Sequence, residues 1–416
     1  MNAHIRKTLC TAATTLLLLW EVPAPALAAD YRLVPSFILG EEYNDNLFQS
    51  ANNAKTEFVT RAQPTLALSA KGGRFSTDLS YGIDYRYYAK DSRKDQLDHR
   101  AAMRGSFGFF DDFLHLDLSD TYTRVSTNVA RDVVNESLVV DQTLQNNALI
   151  SPYLTWHLPG NSTLKTGYRY RDVRYWEGDG IDKIEHDGYA EWSKELGAGL
   201  VLSASYSYAR IKADIDALDR QEVYAGLRYD YGTGNFLYGK FGYNWQSFDS
   251  GANTSDPFWD LGAGRDFGFL TAALGTRVQY TEDPQTLSTR NVNHYATLSR
   301  NFQRGFASFT ASYSKFEKEQ QVPRDVAKTV RFGATGRYEI LSDLTATLNL
   351  SGDRLDSTLP RDLPYHLTGG IGFDYTLSTH LVLGANYTYI TYRNDLGDTD
   401  GAVEVNRAIV EMRLSL

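Results

Sequence analysis

The chain has 416 residues, a net charge of −9 and a mean hydropathy of −0.40, with 28 Tyr, 20 Phe and 6 Trp beside a single Cys. That balance is too hydrophilic for a bundle of membrane helices, too aromatic for a disordered chain and too poor in cysteine for a disulfide scaffold. The acidic surplus also argues against nucleic acid as a partner.

Residues 1–29 read as a secretory signal peptide. Arg6 and Lys7 give a positive start, Leu16, Leu17, Leu18, Leu19 and Trp20 form the apolar centre, and Ala26-Leu27-Ala28 supplies a small-x-small cleavage pattern. The apolar run is too short to span about 30 Å of hydrocarbon. Cys10 leaves with the signal, so the mature chain, 30–416, carries no thiol for a disulfide or a metal. Loss of Arg6, Lys7 and Glu21 moves its charge from −9 to −10. No later segment approaches the apolar length of a membrane helix. An exported, helix-poor chain has one remaining way to span a membrane, the closed β-barrel, in which every backbone polar group is paired between strands.

From residue 33 onward the sequence alternates with period two. Leu200, Leu202, Ala204, Tyr206 and Tyr208 share one face, while Val201, Ser203, Ser205 and Ser207 share the other. Later, Ala307, Phe309, Ala311 and Tyr313 alternate with Ser308, Thr310, Ser312 and Ser314. Leu344, Ala346, Leu348 and Leu350 alternate with Thr345, Thr347, Asn349 and Ser351. Such segments begin near Leu33, Glu57, Arg74, Leu97, Phe113, Asp141, Thr163, Glu185, Leu200, Arg220, Asn235, Pro257, Leu270, Arg290, Gly305, Lys328, Leu344, Tyr365, Leu381 and Val403. The expected fold is all-β, an antiparallel transmembrane β-barrel of about 20 strands, with 18–20 as the range.

The connections alternate as well. Short ones fall at 110–112, 158–161, 197–199, 231–234, 266–268, 303–305, 341–343 and 378–380. Longer polar ones fall at 44–56, 90–96, 127–139, 177–183, 250–256, 282–289, 319–327, 356–363 and 394–401. Short periplasmic turns and longer extracellular loops are the layout of barrels in the outer membrane of Gram-negative cells. Aromatic pairs recur near the strand ends, as in Tyr85/Tyr87, Tyr168/Tyr170, Tyr206/Tyr208, Tyr229/Tyr231, Tyr243/Trp245 and Tyr387/Tyr389. There one edge of the ring meets lipid and the hydroxyl meets water. A soluble β-sandwich or solenoid is the competing fold, but it needs neither the aromatic ends nor the alternating connection lengths. The chain closes on an amphipathic strand, Val410, Met412, Leu414 and Leu416 against Glu411, Arg413 and Ser415. It ends in Leu rather than the aromatic residue that barrel-assembly machinery usually reads.

The polar phase of the strands gives the candidate lumen: Asp84, Arg86, Arg104, Asp117, Lys165, Arg169, Arg171, Arg228, Asp230, Lys240, Arg277, Arg331, Arg337, Glu339, Asp353, Asp374, Glu411 and Arg413. Rings of charge set ion preference in pores. This set leans basic in an acidic chain, which suits passage of an acidic glycan. Equally, the same charges could pair with one another and fill the barrel. A barrel of this size encloses an aqueous channel unless something fills it. The segment before the first strand, 30–32, is too short for a plug, so an energised plug-type transporter is not expected. An infolded loop could constrict the pore, and 127–139 and 44–56 are the longest candidates.

No nucleophile–histidine cluster and no metal-binding pattern stands out, so no enzyme, cofactor or metal is expected. The acidic stretch 395–401 has no bidentate Glu at calcium-loop spacing. Asn44-Asp45-Asn46 fits turn chemistry better than a cation site.

Phe37-Ile38-Leu39-Gly40-Glu41-Glu42-Tyr43-Asn44-Asp45-Asn46-Leu47-Phe48, followed by Phe58-Val59-Thr60-Arg61-Ala62-Gln63-Pro64-Thr65-Leu66 and Leu79-Ser80-Tyr81, resembles the β-barrel porin family of exopolysaccharide and exosortase (PEP-CTERM) gene clusters. The resemblance is specific over 37–88 and pattern-level beyond. It implies an outer-membrane barrel, facing lipopolysaccharide and assembled by the barrel machinery. Its cargo would be an exopolysaccharide handed over by periplasmic export proteins. General diffusion of small solutes, and adhesion through the extracellular loops, are the alternatives.

Overall fold

The computed structural model describes residues 29–131, 141–178, 180–197, 199–251, 253–319, 325–356, 363–397 and 401–416. The expected signal segment, 1–28, lies outside them. The described residues contain no helix and form a single antiparallel sheet. Its strands are β1 (Asp30–Asn44), β2 (Glu57–Lys71), β3 (Phe75–Tyr88), β4 (Gln96–Phe109), β5 (Leu114–Ser126), β6 (Gln142–Leu158) and β7 (Ser162–Trp176). They continue with β8 (Lys183–Gly197), β9 (Leu200–Ala213), β10 (Ala217–Gly232), β11 (Asn235–Phe248), β12 (Asn253–Asp266), β13 (Thr271–Thr281) and β14 (Thr289–Phe302). The last six are β15 (Gly305–Lys318), β16 (Asp325–Glu339), β17 (Leu344–Asp356), β18 (Tyr365–Ser378), β19 (Leu381–Arg393) and β20 (Val403–Ser415).

Each strand pairs with its sequence neighbours, and β1 pairs with β20 from Ser36↔Ser415 to Asn44↔Arg407, closing a 20-stranded barrel. Closure removes the free edges that hydrocarbon would not tolerate. A strand of about 14 residues rises about 45 Å and, tilted by about 40°, covers about 35 Å along the axis, more than the apolar band of about 25 Å. The strand tops therefore project from the membrane on the long-loop side. One connection there departs from the length rule: 214–216 is a tight turn, closed by the Ala213 N–H donating to the Asp216 carbonyl (3.0 Å).

Directly opposed residues share a face, and the register carries one polar face round the whole barrel. Asp78 opposes Arg104, Arg169 opposes Asp187, Lys240 opposes Asp260, Asp260 opposes Arg277, Arg331 opposes Asp353 and Arg61 opposes Arg86. The other face exposes Leu66, Leu227, Phe241, Leu274, Phe309, Leu348, Ile371 and their neighbours to lipid. The upper aromatic girdle is wet at one edge. Tyr208 donates to Asp219 (2.7 Å), Tyr387 to Asn406 (2.6 Å) and Tyr389 to Glu404 (2.9 Å).

Proline marks the breaks in this ladder, because it offers no N–H. Pro35 lies below the end of the β1–β20 pairing, the β2–β3 register skips Pro64, and the β6–β7 register skips Pro152. The proline of β12, Pro257, stands at the largest break. The pairing of β12 with β13 runs only from Asp266↔Thr271 to Asp260↔Arg277. Above that level β12 continues along β11 to Asn253, and β13 continues along β14 to Thr281.

Candidate channel lumen and its infolded loops

The parted top of the β13–β14 hairpin leans into the barrel. Val278 and Val292 oppose each other on the phase that Leu274 exposes to lipid, yet they are only 5% and 9% exposed. Strand alternation alone would send Tyr280 outward with them; instead Arg220 of β10 lies over its ring at 5.6 Å, inside the lumen. The Arg290 guanidinium bridges the seam, donating to the Pro257 carbonyl (3.3 Å) while paired with Glu317 (2.6 Å).

The hairpin tip, 282–288, reaches β7 and β8. Lys183 donates from Nζ to Glu282 Oε1 (2.5 Å) and to the Asp283 carbonyl (2.5 Å). The Tyr175 hydroxyl donates to Glu282 (2.9 Å) and the Ile181 N–H to the Pro284 carbonyl (2.7 Å). Asp283 shapes the turn, accepting from the Gln285 N–H (2.9 Å) and the Thr289 hydroxyl (2.7 Å). Leu287 seats on the inner faces of β9, β10 and β11, against Ile211, Leu218 and Phe248. The alternation that marks the strands does not single out this loop for infolding. The available signal was a leucine, followed by Ser-Thr, inside an otherwise polar connection.

A second strap comes from the start of the β5–β6 loop, 127–139 being one of the two stretches named as candidates for infolding; residues 132–140 lie outside the described set. It crosses to β16, β17 and β18 on the far wall. Arg131 donates from Nε and Nη2 to Asp353 Oδ2 (3.0 and 2.8 Å) and to the carbonyls of Leu363 (2.8 Å) and Pro364 (2.9 Å). Asp353 also meets His366 Nδ1 (2.9 Å), whose ring stacks on Tyr392 at 4.6 Å. The Thr329 hydroxyl donates to the Ala130 carbonyl (3.0 Å).

The β1–β2 loop turns inward more modestly. Leu47 packs on Val59 and Tyr88, all but unexposed. Its Asn44-Asp45-Asn46 stretch is a clasp across the closing seam. The Asn406 N–H and Nδ2 donate to the two Asp45 oxygens (2.7 Å each), and Asn46 Nδ2 donates to the Glu404 carbonyl (3.0 Å). At the other candidate cation loop, Asp395 accepts from the Gly397 N–H (2.9 Å) as an ordinary turn, and 398–400 lie outside the described residues.

The register places every candidate lumen residue named from the sequence on the inner face, but in two different states. Near the extracellular mouth the charges are paired. Asp84 is shared by Arg86 (2.6 Å), Arg100 (3.0 Å) and Arg61 (3.4 Å). Arg169 bridges Asp187 and Glu191, Arg171 meets Glu185, and Asp353 meets Arg131. Toward the periplasm Arg228 pairs with Asp230, and Arg413 with Asp374 and Glu411. By contrast Arg104, Lys165, Lys240, Arg277, Arg331 and Arg337 hold no ion pair among the described residues, and all but the half-buried Lys240 are exposed to the lumen. Several of these cations stand on rings instead: Lys165 over Tyr153 (5.4 Å), Lys240 over Tyr224 (5.0 Å) and Arg277 over Tyr295 (6.0 Å). The unpaired acids on this part of the inner face, Asp78, Asp117, Asp260 and Glu339, are fewer; Asp78 stands opposite Arg104 and Asp260 between Lys240 and Arg277 without an ion pair to any of them.

The closed sheet, lipid-facing girdle and polar interior define an outer-membrane β-barrel. Its solved structural neighbours are of that class. The FrpB iron transporter from Neisseria meningitidis (F3-3 variant) aligns with a TM-score of 0.53 at 10% identity, over 92% of this chain and 81% of that one. The siderophore receptor PirA from Pseudomonas aeruginosa aligns with a TM-score of 0.51 at 12% identity, over 92% of this chain and 80% of that one. The likeness is one of fold. No family model matches the chain, and no curated protein is similar to it in sequence.

Proposed function

We propose that this barrel is a passive outer-membrane channel for hydrophilic anions, and that its cargo is an exopolysaccharide. The observation that carries the reading is the division of charge along the lumen. Ion pairs neutralise much of the extracellular half, whereas Arg104, Lys165, Lys240 and Arg337 hold no ion pair in the half that opens to the periplasm, and Arg277 and Arg331 stand above them without one. An unpaired cation in a water-filled pore raises the local concentration of anions and lowers their entry barrier. The resemblance over 37–88 supports a polysaccharide as that anion, delivered by periplasmic export proteins. Iron and siderophore binding by the fold neighbours is a property of those proteins and adds no ligand here. Passage needs no bond to form or break; the infolded hairpin and the β5–β6 strap would set how wide the mouth stands.

The test is planar-bilayer recording on the refolded mature chain, first as reversal potential across a salt gradient and then with the host's acidic glycan on the periplasmic side. Anion preference and block by the glycan are expected. Anion preference without block leaves a general porin, and a cation preference overturns the reading. A barrel that folds but passes no current points to adhesion through the loops.

A further inference from the structure

Beneath the leaning hairpin, the lumen wall and Val278, Gln279 and Tyr280 enclose a cavity of about 430 Å³, closed at one side by Phe258. That is the size of a small-molecule site. Its guanidinium groups are already committed: Arg169 to Asp187 (3.0 Å) and Glu191 (2.9 Å), Arg171 to Glu185 (3.3 Å) and Arg220 to Glu185 (3.0 Å). An anionic group would have to displace a carboxylate to enter. Two buried polar atoms of the lining hold no hydrogen bond: an acceptor, Asp187 Oδ1, and the Tyr280 hydroxyl, which can donate or accept. Asp187 is 7% exposed and its Oδ1 has no hydrogen-bond partner. A buried carboxylate oxygen left without a donor is costly, so such an atom is normally met by a donor from outside the protein. The rings of Phe258 and Tyr280 supply apolar surface to the same cavity. Hydroxyl donors on one edge and an apolar C–H face on the other describe a pyranose ring without charge.

We infer that this cavity is a binding station for an uncharged sugar unit, with its hydroxyls donating to Asp187 and its C–H face on Phe258, beneath the β13–β14 hairpin. This rests on the channel reading and refines it. The basic periplasmic half draws the acidic units of the polymer, and the cavity holds a neutral one under the hairpin. The hairpin roof makes occupancy of the cavity sensitive to where the hairpin stands.

The probes are maltotriose to maltopentaose as neutral oligosaccharides and oligogalacturonate as the acidic one, applied to the full mature barrel in a planar bilayer. Neutral oligosaccharides should interrupt the current, and Asp187→Asn and Phe258→Ala should each shorten the interruptions by about tenfold or more. Interruption by oligogalacturonate alone, with lifetimes unchanged in both variants, overturns the site and leaves the channel reading standing. Should the barrel carry no current, the channel reading falls. The site is then decided by titration calorimetry of maltopentaose into the detergent-solubilised barrel: heat that Asp187→Asn removes supports it, and no heat overturns it. Should either variant fail to fold, the native barrel still decides: neutral interruption without acidic competition supports the site, and its absence overturns it.

Discussion

Leu287→Ala should loosen the hairpin that narrows the extracellular mouth. The side chain is 5% exposed and seated among Ile211, Leu218 and Phe248, three residues of the barrel wall. Truncating a leucine in such a setting costs about 2–5 kcal/mol. The whole of that cost falls on the infolded arrangement, since a withdrawn hairpin would leave Leu287 in water in either protein. At 1.4 kcal/mol per tenfold, the ratio of withdrawn to infolded hairpin should rise by a factor between about thirty and several thousand. The polar tether is unchanged by this substitution, so Lys183 and Tyr175 still hold Glu282 part of the time. The variant should therefore flicker between the native current level and a larger one, rather than stand permanently wide. Replacing 282–288 by a short Gly-Ser turn removes the tether too and should give the larger level throughout. The assay is single-channel recording at fixed voltage. If the shortened-loop barrel conducts at the native level, the hairpin does not limit the pore, and the reasoning from the parted β12–β13 seam is refuted.

Further outcomes follow from the same geometry. Lys165→Gln combined with Lys240→Gln removes two unpaired lumen cations and should move the reversal potential toward cation preference, with unitary current otherwise little altered. Arg131→Met leaves Asp353, only 6% exposed, without its guanidinium, and should cost about 3–5 kcal/mol, seen as a lower temperature for loss of the compact, heat-modifiable band on gels. Asp45→Ala cuts two hydrogen bonds across the β1–β20 seam and should cost about 1–3 kcal/mol in the same gel assay. An unchanged transition in Asp45→Ala would mean that the strand ladder alone holds the seam.

Strand positions were legible in the sequence because the lipid enforces them. A residue slipped by one position would turn its neighbours from hydrocarbon into the lumen, so period two is kept strictly wherever the wall is paired. The starts expected at Glu57, Leu200, Asn235, Gly305, Leu344, Tyr365, Leu381 and Val403 coincide with those observed, and the inward phase of Asp84, Lys165 and Arg331 follows from the same rule. The rule fails where the wall is not paired. Val278 and Tyr280 carry the lipid-facing phase of Leu274 but lie inside, because the β13–β14 top has left β12. No local pattern encodes that departure; it depends on contacts with Lys183 and Leu218, which stand about 60 to 100 residues earlier. Pro257 was the one local hint, an N–H removed where no partner strand would receive it. The pairing of lumen charges was equally out of reach. Alternation says that Arg86 and Arg104 both face inward, but not that one is buried on Asp84 while the other stands alone in the pore.

On the proposed channel reading, the asymmetry between the two halves of the lumen would give passage a direction. Charges buried in ion pairs under infolded loops are poor attractors, since each guanidinium has already exchanged water for a carboxylate. Exposed cations on an aromatic floor are different. Lys165 keeps its hydration and its field, the half-buried Lys240 keeps its field, and the ring beneath each adds a favourable contact without neutralising it. An anionic chain arriving from the periplasm therefore meets attraction first and constriction second, while one arriving from outside meets the straps at Arg131 and Leu287 before it reaches Lys165 and Lys240. Under equal concentrations this ordering changes no equilibrium, but it makes block by a polymer that cannot pass the straps side-dependent. A long acidic glycan should block more readily from the periplasmic face than from the extracellular one, and trimming 282–288 should shrink that difference by opening the outer approach.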